Sequence, residues 1–364
     1  MRAPRFRVPL VALVGALIGG GCADDPVTDG SSVSVTTGVN GSTGAHGTST
    51  SAGHTTSAGT GTGGAGGMAS MDEAPWPIVL AHGFFGFDDF AGAGFLSYFY
   101  GVKDDLAAHG EVVYTPAVDP FNDSTFRGAQ LYEAIEKIKA ETGKRKVVVI
   151  GHSQGGLDAR VVAHDHPDSV AAVITIATPH HGTPVADIAM KLLADPNASA
   201  IVDALVNAIG AEIYDTVGNE TAVSKPLKLF AQPGIQAFNA LYTDAPGVFY
   251  ASIGGRSDMD FGGQDCAPTT SVPFIEAFDS DRDPLEPLLW VTAPILAGNG
   301  NKPKAHDGLV RAADARWGEF WGCIPADHMD EVGQIGGDNP GAGNGFEHKQ
   351  FYRDLVAYLR ALGY

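Results

Sequence analysis

The stretch from Gly151 to Gly155 places Ser153 between two glycines in a Gly-x-Ser-x-Gly pattern. A serine hydroxyl becomes a nucleophile when a neighbouring base removes its proton, and it can then attack an acyl carbon. Glycine accounts for 48 of the 364 residues, so the pentapeptide alone fits a plain glycine-rich turn equally well. The elements around Ser153 must therefore decide between a turn and a nucleophile.

The chain alternates apolar runs with helical patterns, as expected for an α/β fold with a mostly parallel sheet. Helical spacing occurs at 129–142, 156–164 and 348–362, with no internal repeat. The apolar runs are nearly continuous, which is typical of strands covered on both faces. Five such runs predict strands, at 78–81, 112–115, 147–150, 172–176 and 248–253.

Ser153 lies between one of these strands and a helix, which is the context that a nucleophile on a sharp turn requires. Gly151 and Gly155 would let the strand and the helix approach closely while the serine takes a positive φ. The start of the helix also offers free N–H groups to a developing negative charge. The context favours a nucleophile.

A nucleophilic serine needs a histidine base and an acid, which follow it in this fold in the order Ser, acid, His. Among the twelve histidines, that order leaves His328 and His348. His328 is favoured because its stretch, ADHMDEVGQ, reads as a polar loop, whereas His348 begins the last helix and is expected to be solvated. The favoured acid is Asp307, in AHDGLVR, and its competitors lie in an acidic loop: Asp279, Asp281 and Asp283.

Two backbone donors would stabilise the oxyanion of the tetrahedral intermediate. The N–H of Gln154, directly after the nucleophile, predicts one donor. The second is predicted in the loop after the first strand, where His82 and Gly83 are followed by Phe84. The His-Gly pair is weak by itself and also fits a simple turn, so its position after the strand carries the prediction.

The first part of the chain indicates export. Arginines 2, 5 and 7 precede the apolar run 8–18, which predicts a signal peptide over residues 1–22. Cys22 resembles the lipidated cysteine of a bacterial lipoprotein, and ordinary cleavage after Ala23 is the alternative. Residues 23–73 are rich in Gly, Ser and Thr and predict a flexible tether. The catalytic domain is then expected over 74–364.

Charge and cysteine content narrow the class of protein. The formal net charge of −19 opposes nucleic acid as a partner and would suit a bound cation. Beyond Cys22, only Cys266 and Cys323 remain. In an oxidising compartment such an even pair predicts a disulfide, and two free buried thiols are the alternative.

Several stretches together resemble secreted triacylglycerol lipases of the Pseudomonas/Burkholderia type, which have the α/β-hydrolase fold. The resemblance covers residues 77 to about 186 almost continuously and returns as islands near the C-terminus. It implies Ser153, Asp307 and His328 as the triad, with the N–H groups of Phe84 and Gln154 as the oxyanion hole. The stretches are PIVLAHGFFG, YFYGVKDDLAAHG, FNDSTFRGAQL, VVVIGHSQGGLDARVVA, ATPHHGTPVAD, HDGLV and HMDEVGQ.

The resemblance also implies a structural Ca²⁺ ion that would hold the His328 loop in place. The implied ligands are Asp283, Asp330, Gln334 and a backbone carbonyl close to Asp338, with Asp281 or Asp279 as alternatives to Asp283, and an ordinary surface acid as the alternative for Asp330. The chain departs from the family in its cysteines, because the family's second cysteine follows the catalytic acid closely. Cys323 instead lies near His328, where a bridge to Cys266 would brace the histidine loop.

Residues 183–225 correspond to the lid region and match the family poorly. Apolar residues at helical spacing over 185–194 and 198–213 fit either a mobile amphipathic lid or a fixed cap.

We therefore predict a triacylglycerol lipase that works at an oil–water or membrane interface, with a dedicated folding helper left open. The protein is expected to be a surface or outer-membrane lipoprotein, or secreted. The alternatives with the same triad are a short-chain carboxylesterase, a polyester depolymerase and an acyltransferase. A rival from another class is a catalytically silent binding module, against which the intact Ser, Asp, His order argues.

Overall fold

The computed structural model describes residues 73–84, 98–193, 220–257, 263–298, 303–334, 340 and 344–364. The predicted signal peptide, Cys22, the tether up to residue 72 and Asp338 lie outside the described residues. So do residues 194–219 of the predicted cap. The described part of the chain falls within the compact unit Gly66–Tyr364.

A six-stranded parallel sheet forms the centre of this unit, in the order β2-β1-β3-β4-β5-β6. Each predicted strand is present within a few residues of its expected position, and β6 was not predicted. The strands are β1 (Ile78–Ala81), β2 (Val113–Tyr114), β3 (Val147–His152), β4 (Val170–Ile176), β5 (Phe249–Gly255) and β6 (Glu319–Ile324).

We number the described helices in chain order. They are α1 (Val102–Ala108), α2 (Ser124–Thr142), α3 (Gln154–Asp165), α4 (Pro184–Leu193), α5 (Glu220–Phe230), α6 (Gln232–Leu241), α7 (Pro273–Glu276), α8 (Ala293–Ala297) and α9 (His348–Ala361). Short 3₁₀ turns lie at Pro167–Ser169, Gly263–Cys266, Pro287–Val291 and Asp330–Val332. None of the described helices is long and apolar enough to cross a membrane.

Local sequence signals explain the bounds of the longest helix. The Asp123 side chain caps α2 by accepting from the backbone N–H groups of Thr125 and Phe126. The helix ends where Gly143 takes a φ of 66°, a conformation that glycine adopts without strain. The helix begins at Ser124, five residues before the predicted start, because the polar first turn hides the apolar periodicity.

Both faces of the sheet are buried, which accounts for the continuous apolar runs. On β3, Val148 and Ile150 pack in the cluster that contains the last helix, α9. The alternate residues, Val147 and Val149, pack against Leu131 and Ile135 of α2 in a second cluster. Successive side chains of a strand point to opposite faces, so a strand covered on both sides needs apolar residues throughout.

The sheet order creates a crevice at its carboxyl edge. From β1 the chain moves to β2 on one side and then returns to β3 on the other. Loops that leave neighbouring strands in opposite directions open a space between them, and ligands of open α/β sheets bind there. Phe84 follows β1 and Ser153 follows β3, so the predicted oxyanion loop and nucleophile meet at this point.

Candidate active site

Ser153 occupies a strained turn between β3 and α3. Its φ and ψ are 54° and −129°, a backbone conformation that a residue with a side chain rarely adopts. A Cβ on Gly151 would lie 2.5 Å from the Gly156 nitrogen, and a Cβ on Gly155 would overlap the Ala81 carbonyl oxygen. The two glycines therefore permit the close approach of strand and helix that holds the serine in this conformation.

Thr178, in the turn after β4, stabilises the Ser153 turn by a hydrogen bond. Its hydroxyl donates to the Ser153 carbonyl oxygen at 2.7 Å. The preceding residue, Ala177, also has a positive φ, of 48°, and donates its N–H to the Ile253 carbonyl. The stretch ATPHHG contributed to the family resemblance but supplied no predicted site residue, although its position just after a strand was a signal that it faces the site.

His328 and Asp307 form a hydrogen-bonded pair. The Nδ1 atom of His328 lies 2.8 Å from Oδ2 of Asp307, and both side chains are buried. The other carboxylate oxygen of Asp307 accepts from the backbone N–H groups of Leu309 and Val310, at 2.8 and 2.6 Å. One oxygen thus fixes the carboxylate to its own turn, and the other fixes the orientation of the imidazole.

The histidine loop lies directly beside the serine corner. The ring centroids of His328 and His152 are 4.6 Å apart, and His152 immediately precedes Ser153. His328 follows β6 at the carboxyl edge of the sheet, in the loop predicted from its polar sequence. The structure thus pairs His328 with Asp307 and places the pair beside His152, the residue that precedes Ser153.

The predicted oxyanion loop packs against the nucleophile. A Cβ on Gly83 would lie 2.7 Å from the Cβ of Ser153, so only glycine fits between the loop and the serine. Gln154 begins α3, and the first N–H groups of a helix have no partner within it. Its side chain turns away and donates to the Asn122 carbonyl oxygen at 2.8 Å. The predicted backbone donors, Phe84 and Gln154, therefore flank Ser153.

Arg127 orients this loop, a role that sequence reasoning missed. Its guanidinium donates to the carbonyl oxygens of His82 and Gly83, at 2.6 and 3.2 Å, and pairs with Asp158 at 2.7 Å. A trans peptide points its N–H opposite to its C=O. Because Arg127 holds the Gly83 carbonyl, the N–H of Phe84 in the same peptide points away from Arg127.

His82 reinforces this orientation as a neutral imidazole. Its Nε2 atom accepts from the Val118 N–H at 3.1 Å, so the proton resides on Nδ1, which lies 2.9 Å from the Gly83 oxygen. Burial and then the neighbouring Arg127 lower the pKa of His82 to about 3. The ring therefore keeps this tautomer across the physiological range.

A second buried network, also missed from the sequence, lies behind His328. Tyr98 and Glu331 contact the two ring nitrogens of His152, each at 2.7 Å. The same oxygen of Glu331 is 4.0 Å from Nδ1 of His328. A Cβ on Gly255 would overlap Glu331 and lie 2.8 Å from the Asp307 Cβ, so this glycine makes room for the carboxyl group.

Burial disfavours the charged forms of both His152 and Glu331. Burial first, and then the charge of Asp307, raise the pKa of Glu331 well above its usual range. Burial and then His328 lower the pKa of His152 well below its usual range. With both groups neutral, the Glu331 hydroxyl would donate to Nε2 of His152, and the Nδ1–H of His152 would donate to the Tyr98 oxygen.

Three aspartates converge beside the histidine loop. Ligand oxygens of Asp283, Asp327 and Asp330 all lie within 4.8 Å of one another, and all three residues are buried. Both carboxylate oxygens of Asp283 are buried without a hydrogen-bond partner. Burial, and then Asp327 and Asp330, raise the pKa of Asp283 to about 9. An oxygen-only set of this kind fits a Ca²⁺ ion, which would satisfy Asp283 and relieve the repulsion.

The cluster agrees only in part with the predicted ligand set. Asp283 and Asp330 come together, and Asp327 joins them although it was not predicted. Asp327 also accepts from the backbone N–H groups of Glu286, Met329 and Asp330, which ties the cluster to the loop around His328. Gln334 lies four residues beyond Asp330, and its N–H donates to the Met329 carbonyl. The competing Asp281 instead accepts from the Gly345 N–H.

The predicted cysteines and His348 contribute to the packing around the site. Cys266 and Cys323 form a disulfide, which links the Gly263–Cys266 turn to the edge strand β6, just before the histidine loop. His348 is buried rather than solvated as expected: its Nε2 lies 2.8 Å from the Tyr100 carbonyl oxygen. A side chain on Gly333 would collide with this ring, because the loop after His328 packs directly on the last helix.

Comparison with known proteins bears on the fold and the family of the chain. The family described as alpha/beta hydrolase fold matches residues 77–199. A triacylglycerol lipase of Vibrio cholerae is 37% identical over 267 residues, which cover 71% of this chain and 79% of that protein. The chain belongs to the triacylglycerol lipase family. Relatives with the same name from Burkholderia plantarii and Pseudomonas fragi are each 29% identical and cover 71% of this chain, and 79% and 88% of their own lengths.

Solved structures support the fold of this lipase-family chain. The Staphylococcus hyicus lipase aligns with a TM-score of 0.55 at 16% identity, over 81% of this chain and 97% of that one. EstA from Clostridium botulinum aligns with a TM-score of 0.51 at 19% identity, over 80% and 88%. At such identities the likeness concerns the α/β-hydrolase fold alone.

Proposed function

We propose that this protein is a lipase that hydrolyses triacylglycerols or closely similar lipid esters through an acyl-enzyme on Ser153. The observation that carries the proposal is the 2.8 Å contact between His328 Nδ1 and Asp307 Oδ2, beside the strained Ser153 corner. The contact engages Nδ1, so Nε2 is the ring nitrogen that would take the serine proton. The names of the relatives supply the substrate class.

In the proposed reaction, Ser153 Oγ attacks the acyl carbon as His328 Nε2 takes its proton. The N–H groups of Phe84 and Gln154 stabilise the oxyanion, and Asp307 stabilises the imidazolium. The imidazolium then gives its proton to the departing alcohol, which leaves the acyl group on Ser153. Water, activated by the neutral His328, attacks the acyl-enzyme and releases the fatty acid while Ser153 recovers its proton.

The substrate range is tested by comparing emulsified long-chain triglyceride with soluble short-chain esters, using Ser153→Ala as the blank. A lipase is expected to prefer the emulsion. A strong preference for short soluble esters would assign a carboxylesterase instead, and predominant ester exchange with added alcohol would assign an acyltransferase. Release of soluble products from an aliphatic polyester film would indicate a depolymerase.

We further propose that Asp283, Asp327 and Asp330 hold a structural Ca²⁺ ion. The buried, unpaired oxygens of Asp283 support this site, and the backbone bonds of Asp327 would transmit its effect to the His328 loop. When bound, the ion supplies positive charge that offsets the three carboxylates. Chelation should lower the melting temperature and the activity together, and a melting curve indifferent to chelator would remove the ion from this account.

For localisation, we propose that Cys22 is lipidated and that residues 23–73 tether the catalytic domain to a membrane surface. The sequence pattern around Cys22 supports this proposal. Metabolic labelling with a fatty acid should mark the parent but not Cys22→Ser. A mature protein that begins after Ala23 would instead indicate ordinary secretion.

A further inference from the structure

Residues 285–297, which we call the Trp290 platform, lie beside the candidate active site. The platform consists of the 3₁₀ turn Pro287–Val291 followed by α8. Within the platform, the side chains of Leu289 and Leu296 are fully buried. A Cβ on Gly308 would collide with Leu285 and Leu289, so the platform packs directly on the residue that follows Asp307.

The platform is tied to both loops that carry the base and the acid. The Thr292 hydroxyl donates to the Gly308 carbonyl oxygen, next to Asp307. The Glu286 N–H donates to Asp327, the residue before His328, at 2.9 Å. Because the platform is fixed to both loops, whatever binds to the platform would lie in a defined orientation relative to the active site.

The outer face of the platform is apolar. Trp290 is 63% exposed and Val291 is 43% exposed, and among the large exposed apolar side chains of the described residues these two are consecutive. The indole N–H of Trp290 donates to the Leu285 carbonyl oxygen at 2.8 Å. Its polar atom is therefore satisfied within the protein, and the ring can leave water without losing a hydrogen bond.

We propose that Trp290 and Val291 anchor the protein to the surface of a neutral lipid-ester droplet. This proposal rests on the lipase function proposed above. An indole ring with an apolar body suits the boundary between water and lipid, where tryptophan is enriched. The formal net charge of −19 opposes binding to anionic lipid, so the surface that fits is uncharged or zwitterionic.

The chain offers a matched control for this anchor. Val112 is 51% exposed and directly precedes β2, so it lies at the amino edge of the parallel sheet, opposite the edge that carries Ser153. Val291→Ser and Val112→Ser make the same chemical change at opposite ends of the molecule. Trp290→Ser removes the larger contact, and Trp290→Phe keeps an aromatic ring in place.

The experiment measures partition onto triolein droplets coated with phosphatidylcholine, in a Ser153→Ala background that leaves the droplets intact. Trp290→Ser should weaken partition ~10-fold or more and Val291→Ser ~3-fold or more, because each change removes apolar area and tryptophan has the larger side chain. Val112→Ser should have no effect, and Trp290→Phe should restore most of the binding. Equal loss for Val291→Ser and Val112→Ser, or unchanged partition of a folded Trp290→Ser, would overturn the proposal.

Tryptophan fluorescence gives an independent readout. Of the four tryptophans, Trp290 alone is more than a third exposed. Its emission should shift to the blue on droplets and be quenched by brominated phosphatidylcholine, and Trp290→Ser should remove both signals. An unchanged spectrum on bound droplets, or tighter binding to phosphatidylglycerol vesicles that salt abolishes, would contradict the proposed anchor.

Failure of the anchor and failure of the lipase function give different results. With Ser153 intact, Trp290→Ser should hydrolyse a soluble short-chain ester at the parental rate. Normal soluble-ester activity with unaltered droplet binding would reject the anchor alone. Absence of ester hydrolysis by the parent would reject the proposed function.

Discussion

The Ser153 corner and the loops that carry Asp307 and His328 achieve their positions by different physical means. Around Ser153, backbone is packed on backbone: Gly155 lies against Ala81 and Gly83 lies against the serine itself. Around His328, buried carboxyl groups crowd together: Asp307 and Glu331 lie near its ring, and three aspartates cluster around Asp283. Close backbone packing dominates the first region, and buried carboxyl groups dominate the second.

This difference has experimental consequences. A corner held by steric fit should respond to added atoms and ignore protons and cations. Loops held among buried carboxyl groups should respond to pH and to chelators, because the cost of a buried charge depends on its protonation and on any bound cation.

The largest effect is expected where the two regions meet. His328→Gln should lower kcat on a soluble ester ~10⁴-fold or more, because the serine loses its base. The variant should remain folded, as judged by its melting curve. His348→Gln is a matched control, since that ring lies against the Tyr100 carbonyl, and it should retain kcat even if its stability falls. A comparable loss of kcat in both variants would show that His328 is not the specific base.

The next effect concerns the shape of the corner. Gly155→Ala should lower the free energy of unfolding by about 3 kcal/mol or more, because its Cβ overlaps the Ala81 carbonyl. Gly143→Ala, at a helix end with no heavy atom within 4 Å of the new Cβ, should cost only about 1 kcal/mol from its positive φ. Urea unfolding measures both, and similar losses would refute the steric account of the corner.

The cluster of Asp283, Asp327 and Asp330 should make the stability of the protein depend on pH. The pKa of Asp283 is raised to about 9 in the folded protein, and the unfolded chain has an ordinary, much lower value. The native state therefore holds a proton that the unfolded state releases, so without metal this residue favours the native state less as pH rises from about 4 to 9. Asp283→Asn should remove that slope and the stabilisation by added Ca²⁺.

This prediction is checked by urea unfolding in chelator at about pH 5, 7 and 9, as the difference between parent and Asp283→Asn. The free energy of unfolding of the parent, relative to the variant, should decrease with rising pH. Parallel curves for the two proteins, together with the same response to Ca²⁺, would mean that Asp283 is not part of a cation site.

The smallest effect is expected at Glu331. If the residue is neutral, Glu331→Gln keeps a hydrogen-bond donor toward His152 and should change kcat by no more than ~3-fold. Glu331→Ala should be clearly worse, because it leaves the buried His152 ring without its partner. A large loss of kcat in Glu331→Gln would show instead that the charge of Glu331 supports the reaction.

The same contrast explains how much the sequence could predict. Strands β1 and β3 and the glycines around Ser153 were predicted because their signals are local: continuous β-branched runs and a short motif. Strand β6 was missed because it contains Glu319 and Gly322 and has no continuous apolar run. Its place at the sheet edge depends on pairing with β5, a contact that no local pattern reveals.

Site residues that act through contacts distant in sequence could not be predicted, for the same reason as β6. His328 and Asp307 were named because chain order leaves few candidates, and the structure pairs them. Arg127, Glu331 and Asp327 were not named, because each acts through a partner distant in sequence or through a backbone N–H whose direction only the folded loop defines. His348 was expected to be solvated because the contact with Tyr100 spans most of the domain.

The central claim is that Ser153 is the nucleophile activated by His328, and an active-site-directed fluorophosphonate tests it most directly. Peptide mapping by mass spectrometry should find one phosphonyl group per molecule, on Ser153. Labelling should be lost in Ser153→Ala and strongly slowed in His328→Gln. A parent protein that stays unlabelled, or an adduct on any residue other than Ser153, would contradict the account and leave a binding module on this fold as the better description.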